Sequence, residues 1–437
     1  MARWLNILLL LVPFMAYAQE DPGLITGPYV EGEIFIRYKD GTQEEKQELM
    51  ALSLGATLKK NDFLVPNLKL VQLYPGQPVE EAIQYFKALP DVLYVAPNYL
   101  IQLEGGMFPP REIPDPDPDN SVKINDPYFN NSYGLYAIEA PKAWKSFTWG
   151  SRNVMVAIID SGIDYTHEDL ASNMWKNPNE IEANGIDDDG NGYIDDQYGW
   201  NFLKDSADPM DDNFHGTHVA GIVGALADNG VGSLGVSPSV SLMACKFTNE
   251  KGEGTTNHAI RAITYAVRNG AKILNNSWGG YGKSRPLMET IQMAANQGVL
   301  FVAAAGNDNA DADVKPFYPA SFTQENVISV AATDAWDEKA SFSNFGKKSV
   351  HLAAPGVSIF SSIPKNRYDS FSGTSMAAPF VSGAAALIWA AKPHLTMKQV
   401  KDLLLQTVDP IESMQGRTMT GGRLNIYNAL SFSILSP

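Results

Sequence analysis

The sequence predicts an α/β protein, a doubly wound and mainly parallel sheet with helices on both faces, preceded by a small α+β unit. Three observations predict it. From about Asp126 onward, short apolar runs alternate with segments of helical period. Those runs are apolar throughout rather than alternating, as strands covered on both faces must be. Ahead of them, residues 28–103 carry a separate set of strand and helix signals. The chain has 437 residues, 44% of them hydrophobic, which suggests two or three domains and a large core.

The first element is MARWLNILLLLVPFMAYAQE. Arg3 gives a positive start, Leu5 to Met15 an apolar run, and Ala16-Tyr17-Ala18 a small-x-small pattern. This predicts a secretory signal peptide over residues 1–18, with export to the medium or a periplasm. The run is short for a membrane span, and no later segment is expected to be apolar enough for one.

Residues 28–103 read as strand EIFIRY, helix Thr42–Leu54, strand KLVQLY, helix Val79–Leu89 and strand VLYVAPNYLIQL. The order points to a ferredoxin-like β-α-β-β-α-β unit, one of whose two middle strands these signals leave unplaced. Residues 104–124, with EGGMFPPREIPDPDPDN, have no apolar period and read as a solvated, cuttable linker. In the unit of residues 125–432, strands are expected at Val154–Ile159, Ser241–Phe247, Lys272–Asn275, Val299–Ala305 and Val327–Ala331. Helices are expected at His215–Leu226, Asn257–Asn269, Leu287–Gln297 and Ser375–Ala391. In such a sheet, ligands bind outside the carboxyl ends of the strands.

A formal charge of −16 argues against a nucleic-acid partner. The single cysteine, Cys245, excludes an intramolecular disulfide and leaves metal as a candidate staple.

The chemistry concentrates at three Gly-rich junctions. Ser375 lies in FSGTSMAAPFV at a helix start, Asp160 ends the apolar run VAIIDSGID, and His215 opens HGTHVAGIVGAL. A serine is a weak nucleophile without an imidazole base, and the imidazole needs a carboxylate to fix its tautomer. His215 and His218 are three apart, but no third element of an HExxH-type zinc site appears. The order Asp160, His215, Ser375 is that of subtilisin, not of chymotrypsin or the α/β-hydrolases. With the motifs DSGID, HGTHVAG and GTSMAAP, the chain resembles the subtilisin-like serine proteases from about Asp126 to Leu430.

The resemblance implies a serine endopeptidase acting on proteins or peptides as a monomer. Residues 28–103 look like its propeptide, an intramolecular inhibitor. AAAGN resembles the segment carrying the oxyanion asparagine, here Asn307; the backbone N–H of Ser375 at its helix start is a second donor. Gly252-Glu253-Gly254 and Ser277-Trp278-Gly279 resemble the two strands that sandwich an extended substrate. Ala304 and Gly306 would line the specificity pocket, with Phe317 filling part of it and favouring small or medium apolar side chains. Two rival readings are a non-catalytic protease-fold binding protein and an esterase using the same triad. The first is disfavoured by the intact triad, the second by the lack of a GxSxG elbow.

NGIDDDGNGYIDD concentrates hard oxygen ligands. Asp187, Asp189 and Asn191 stand at i, i+2 and i+4, Gly192 follows, and Asp195 holds the ninth position, as in the first part of an EF-hand loop. Tyr198 stands where the closing Glu belongs, so Asp196 is expected to complete a structural Ca²⁺ site. A second calcium site, implied by the resemblance, takes Asp169 and Asn229 with backbone carbonyls and Asp126.

Overall fold

The computed structural model describes residues 25–60, 62–103 and 122–432. The expected signal peptide and nearly all of the expected linker lie outside the described residues.

The N-terminal unit runs β1 (Tyr29–Tyr38), α1 (Glu44–Leu52), β2 (Thr57–Leu58), β3 (Leu68–Gln72), α2 (Val79–Lys87) and β4 (Val92–Leu103). Its sheet is ordered β4-β1-β3-β2 with every neighbour antiparallel. That is the ferredoxin-like arrangement the element order implies. In α2, Val79, Ala82, Ile83 and Phe86 fall at helical spacing and are buried on the sheet. The two faces of β1 divide by parity. Ile34 and Ile36 join the unit's own core, while Phe35 joins a core shared with the rest of the chain.

The second unit runs α3 (Tyr133–Ala137), α4 (Ala140–Ser146), β5 (Gly150–Asp160), β6 (Gly199–Asn201), α5 (His215–Gly224), β7 (Ser239–Lys246), β8 (Glu253–Thr255) and α6 (Thr256–Arg268). It continues with β9 (Ile273–Asn276), β10 (Trp278–Gly279), α7 (Arg285–Asn296), β11 (Leu300–Ala304), β12 (Val327–Thr333) and β13 (Leu352–Pro355). The hairpin β14 (Ile359–Ile363) and β15 (Arg367–Phe371), α8 (Thr374–Ala391), α9 (Met397–Gln406), β16 (Asp409–Pro410), β17 (Gly422–Arg423) and α10 (Ile426–Ser431) complete it. The main sheet is ordered β16-β17-β13-β12-β11-β9-β5-β7-β6, parallel except for the β16–β17 pair. In β5, Val156 and Ile158 face one core with α5 and α8. Ala157 and Ile159 face the other, with α6 and α7. Continuous apolar strands are thus explained by burial on both faces.

By length and composition α8 could cross a membrane, contrary to the expectation that no later segment would be apolar enough. Its most apolar window is 89% buried inside the fold, so its apolarity serves the core.

The short strand β6, the buried β13 and the strands β14 to β17 carry no strand signal in the sequence, whereas β8 and β10 fall on the two segments that the resemblance makes strands. These last two matter most: they bond not to the main sheet but to β4.

Candidate active site

Asp160 ends β5, Asn276 ends β9, and Asn307 follows β11, so all three lie at the carboxyl edge of the parallel sheet. His215 is the first residue of α5. Its Nδ1 lies 2.8 Å from Asp160 Oδ1, with both side chains buried. Asp160 Oδ1 also accepts from the Ser161 backbone N–H at 2.7 Å. The approach of β5 to α5 depends on glycine: a methyl group at Gly216 would stand 2.0 Å from the Gly162 carbonyl oxygen.

Ser375 lies in the first turn of α8, fully buried. Its Oγ donates to the Ser277 carbonyl at 3.0 Å, and Ser277 Oγ donates to the Ser375 carbonyl at 2.9 Å. These two bonds pin the start of α8 to the end of β9. Asn307 Oδ1 accepts from the Thr374 backbone N–H at 2.9 Å and from Thr374 Oγ1 at 3.1 Å. These two bonds orient the Asn307 amide against the start of α8. Thr374, which orients Asn307, carried no sequence signal of its own.

His218, the other histidine of HGTH, is buried among backbone acceptors, 2.9 Å from the Ile359 carbonyl and 3.2 Å from that of Asp369. Burial pushes its imidazole down to about 3. It ties α5 to the β14–β15 hairpin that leads into Ser375.

Leu100–Leu103, the end of β4, runs antiparallel between β8 and β10. Leu100, Ile101 and Gln102 pair with Thr255, Gly254 and Glu253; Gln102 and Leu103 pair with Gly279 and Trp278. The Leu103 N–H donates to the Gly252 carbonyl at 3.0 Å. The chain's own segment therefore lies between Gly252-Glu253-Gly254 and Ser277-Trp278-Gly279, where the resemblance would place substrate. Ile101 and Leu103 point into the protein and Leu100 and Gln102 point out. Phe317 is buried against Gly279 and Gly306, where added methyl groups would come within 2.2 and 3.0 Å of its ring. Ala304 and Gly306 are buried at the end of β11.

In the acidic loop, carboxylate oxygens of Asp187 and Asp189 converge with one of Glu180, all within 4.8 Å of one another. Glu180 lies outside the motif, and no spacing rule picks it out. Asn191 joins this cluster by donating from its backbone to Asp187 and Asp189. Asp195 and Asp196 turn elsewhere. Asp195 accepts from the Asn184 and Gly185 backbones. Asp196 is buried and accepts from Asn177, Asn191 and the Tyr265 hydroxyl. A carboxylate satisfied by that many donors is holding the loop together.

At the second candidate cation site, Asp126 accepts from the backbones of Asp228, Asn229 and Gly230. Asn229 Nδ2 donates to Asp169 Oδ1 at 2.8 Å. Burial lifts the Asp169 carboxyl to about 7 and also raises that of Asp126. Two buried acids that resist ionisation are what a bound cation would relieve.

The family model described as Subtilase family matches residues 151–426, and that of the Fervidolysin N-terminal prodomain matches residues 16–98. A thermophilic serine proteinase from Bacillus sp. (strain AK1) is 34% identical over 408 residues, 93% of this chain and 89% of that one. Subtilisin-like protease 1 from Plasmodium vivax is 35% identical over 331 residues; the match covers 71% of this chain and 52% of that protein. Among solved structures, fervidolysin from Fervidobacterium pennivorans, a keratinolytic enzyme related to subtilisin, superposes with a TM-score of 0.74 at 25% identity. That match covers 94% of this chain and 62% of fervidolysin.

One prediction follows from Asp169. Its folded pKa is raised, so the folded state keeps a proton that the unfolded state has lost, and stability erodes as pH rises toward and through about 7. In excess EGTA, the melting temperature of the Ser375→Ala protein should fall between about pH 4 and pH 7. Calcium should flatten that fall by binding the folded state, and Asp169→Asn should flatten it without calcium. Thermal scans with identical pH slopes in calcium, in EGTA and in the Asn variant would remove Asp169 from the cation site.

Proposed function

The chain belongs to the subtilase family, and on that premise we propose that it is an exported, calcium-stabilised serine endopeptidase, made as a self-processing zymogen and active as a monomer. The observation that carries the proposal is the placement of Leu100–Leu103 as a third strand between β8 and β10, beside the residue that bonds Ser375. In this reading residues 1–18 are a signal peptide, 28–103 the propeptide, 104–124 the linker and 125–432 the peptidase domain.

Catalysis runs as follows. A peptide substrate enters as an extended strand where Leu100–Leu103 now lies. Ser375 Oγ leaves the Ser277 carbonyl, gives its proton to His215 Nε2 and bonds the scissile carbon. Asp160 accepts from Nδ1 and stabilises the imidazolium. The new oxyanion takes hydrogen bonds from the Asn307 amide and the Ser375 N–H. His215 then returns the proton to the leaving amine, and water repeats the sequence on the acyl-enzyme. Glu180, Asp187, Asp189 and Asn191 would hold one structural Ca²⁺, and Asp169, Asn229 and Asp126 the other; neither takes part in bond breaking. Acceptor-rich loops of hard oxygen suit that ion.

Three tests bear on this reading. Ser375→Ala should fold but stay joined to residues 28–103. Wild type from the same host should yield a chain starting between about Gly105 and Asn125, because a tethered linker is cut at high effective concentration. Intact-mass analysis distinguishes them; a Ser375→Ala chain cut at the wild-type bond means that another protease does the maturing. Asn307→Ala should lower kcat by ~10²–10³ with little change in KM, a magnitude taken over from subtilisin itself. A near-normal kcat in purified mature enzyme would sink the oxyanion assignment.

The third test is pH. Burial holds His167 below the ordinary imidazole value, His218 and His351 at about 3 and His258 at about 4. Of the six histidines this leaves His215 and the exposed His394, and only His215 has a place in the mechanism. The acid limb of kcat/KM should therefore rise with pH at a slope of one proton. A two-proton slope would mean that a second group must also deprotonate.

A further inference from the structure

Beneath the Asp160–His215 pair lies a carboxylate that the mechanism above does not use. Asp211 sits four residues before His215 and is buried. Its Oδ1 accepts from Ser161 Oγ at 2.9 Å, the Asn213 N–H at 2.9 Å and the Phe214 N–H at 3.0 Å. Its Oδ2 accepts from the Thr217 N–H at 2.9 Å and Thr217 Oγ1 at 2.6 Å. Five donors from both sides of His215 thus converge on one side chain.

The network closes on the pair itself. Ser161 Oγ accepts from the Gly216 N–H at 2.9 Å, while the Ser161 N–H donates to Asp160 Oδ1 at 2.7 Å. The end of β5 and the start of α5 are therefore joined twice: directly through His215–Asp160, and in parallel through Ser161–Asp211. Phe214, the residue before His215, has φ +101°, a region that non-glycine residues rarely adopt. Strain of this kind persists only where its surroundings over-determine it, and the Phe214 N–H is one of the five donors.

We propose that Asp211 is a positioning residue for the reaction. It holds the backbone frame from which His215 reaches Asp160, and so governs proton transfer from Ser375 rather than substrate binding. This rests on the reading of Asp160, His215 and Ser375 as the catalytic triad. Asp211 itself shares no hydrogen bond with β8 or β10, while its neighbour Asn213 donates to the Glu250 carbonyl ahead of β8, so KM is read beside kcat to separate the two effects.

The test is Asp211→Asn in the full chain, matured by a trace of wild-type enzyme where it does not mature itself. Asparagine keeps the shape but turns an NH₂ group toward N–H and O–H donors. Misplacing a catalytic group by a fraction of its reach costs on the order of 10²-fold in rate. The expected result is a kcat lower by about 10- to 100-fold with KM within about twofold, measured per folded molecule. Ser161→Ala, which removes the bond to Asp211 and the acceptor of the Gly216 N–H but leaves the other four donors on Asp211 in place, should lower kcat by less. The double variant should lose less than the product of the two single losses, because both act through one network. A kcat per folded molecule within about threefold of wild type, or a change confined to KM, overturns the proposal. Should Asp211→Asn fail to fold, Ser161→Ala decides alone: an unchanged kcat overturns it. His215→Ala is run beside them. If it keeps activity, the triad reading has failed; if it is inactive while Asp211→Asn matches wild type, only the positioning role has.

Discussion

The site depends on how closely two backbones can approach. His215 opens a helix and Asp160 ends a strand, and their side chains meet only because the Gly216 Cα lies against the Gly162 carbonyl. Any side chain at Gly216 would push α5 off the sheet edge. The surrounding bonds exploit that closeness. His218 fastens α5 to the β14–β15 hairpin, and the paired Ser277–Ser375 bonds fasten the start of α8 to β9. Each catalytic candidate is thus carried on a helix start or strand end that is itself tied to the central sheet. Precision of this kind needs a rigid frame, and a parallel sheet buried on both faces provides one.

The N-terminal unit extends the frame instead of merely resting on it. Its four-stranded sheet continues through β4 into β8 and β10. Elsewhere along the contact, Asn98 Oδ1 accepts from the Asn257 N–H at the start of α6, supplying a donor there with the partner a helix end otherwise lacks. Tyr94 donates to Glu289 and stacks under the Arg285 guanidinium at 4.1 Å. Apolar residues from both units share one core. The contact therefore combines strand pairing, helix capping and apolar burial, which suits an element that must hold until it is cut away.

Much of this was legible in the chain itself. β5, β7, β9, β11 and β12 announce themselves as continuous apolar runs, and α5, α6, α7 and α8 as helical periods. The Gly-rich junctions at Asp160, His215 and Ser375 mark sharp turns at strand ends. α9 escaped notice although Thr396 and Gln399 form a capping box. β8 and β10 have three and two residues, too few for any period; they are strands only because β4 lies between them. Glu180 reaches Asp187 and Asp189 because the acidic loop folds back on it, and the bonds of Asp211 run to both sides of His215. Such side-chain convergence is set by tertiary packing, and no local spacing encodes it.

With substrate entering between β8 and β10 as proposed, that slot has a consequence for what can be digested. Leu103 occupies it by giving its N–H to Gly252 and by pairing its neighbours on both sides. An incoming chain must offer the same donors and acceptors, so it must be extended and free of its own secondary structure over several residues. A helix or a paired strand in an intact protein has already committed those groups. Entry then waits on local opening of the target, whose free energy ranges from near zero in loops and frayed ends up to the full stability of the fold. A cleft of this shape discriminates among proteins by how often their backbones come undone, well before any side chain is inspected.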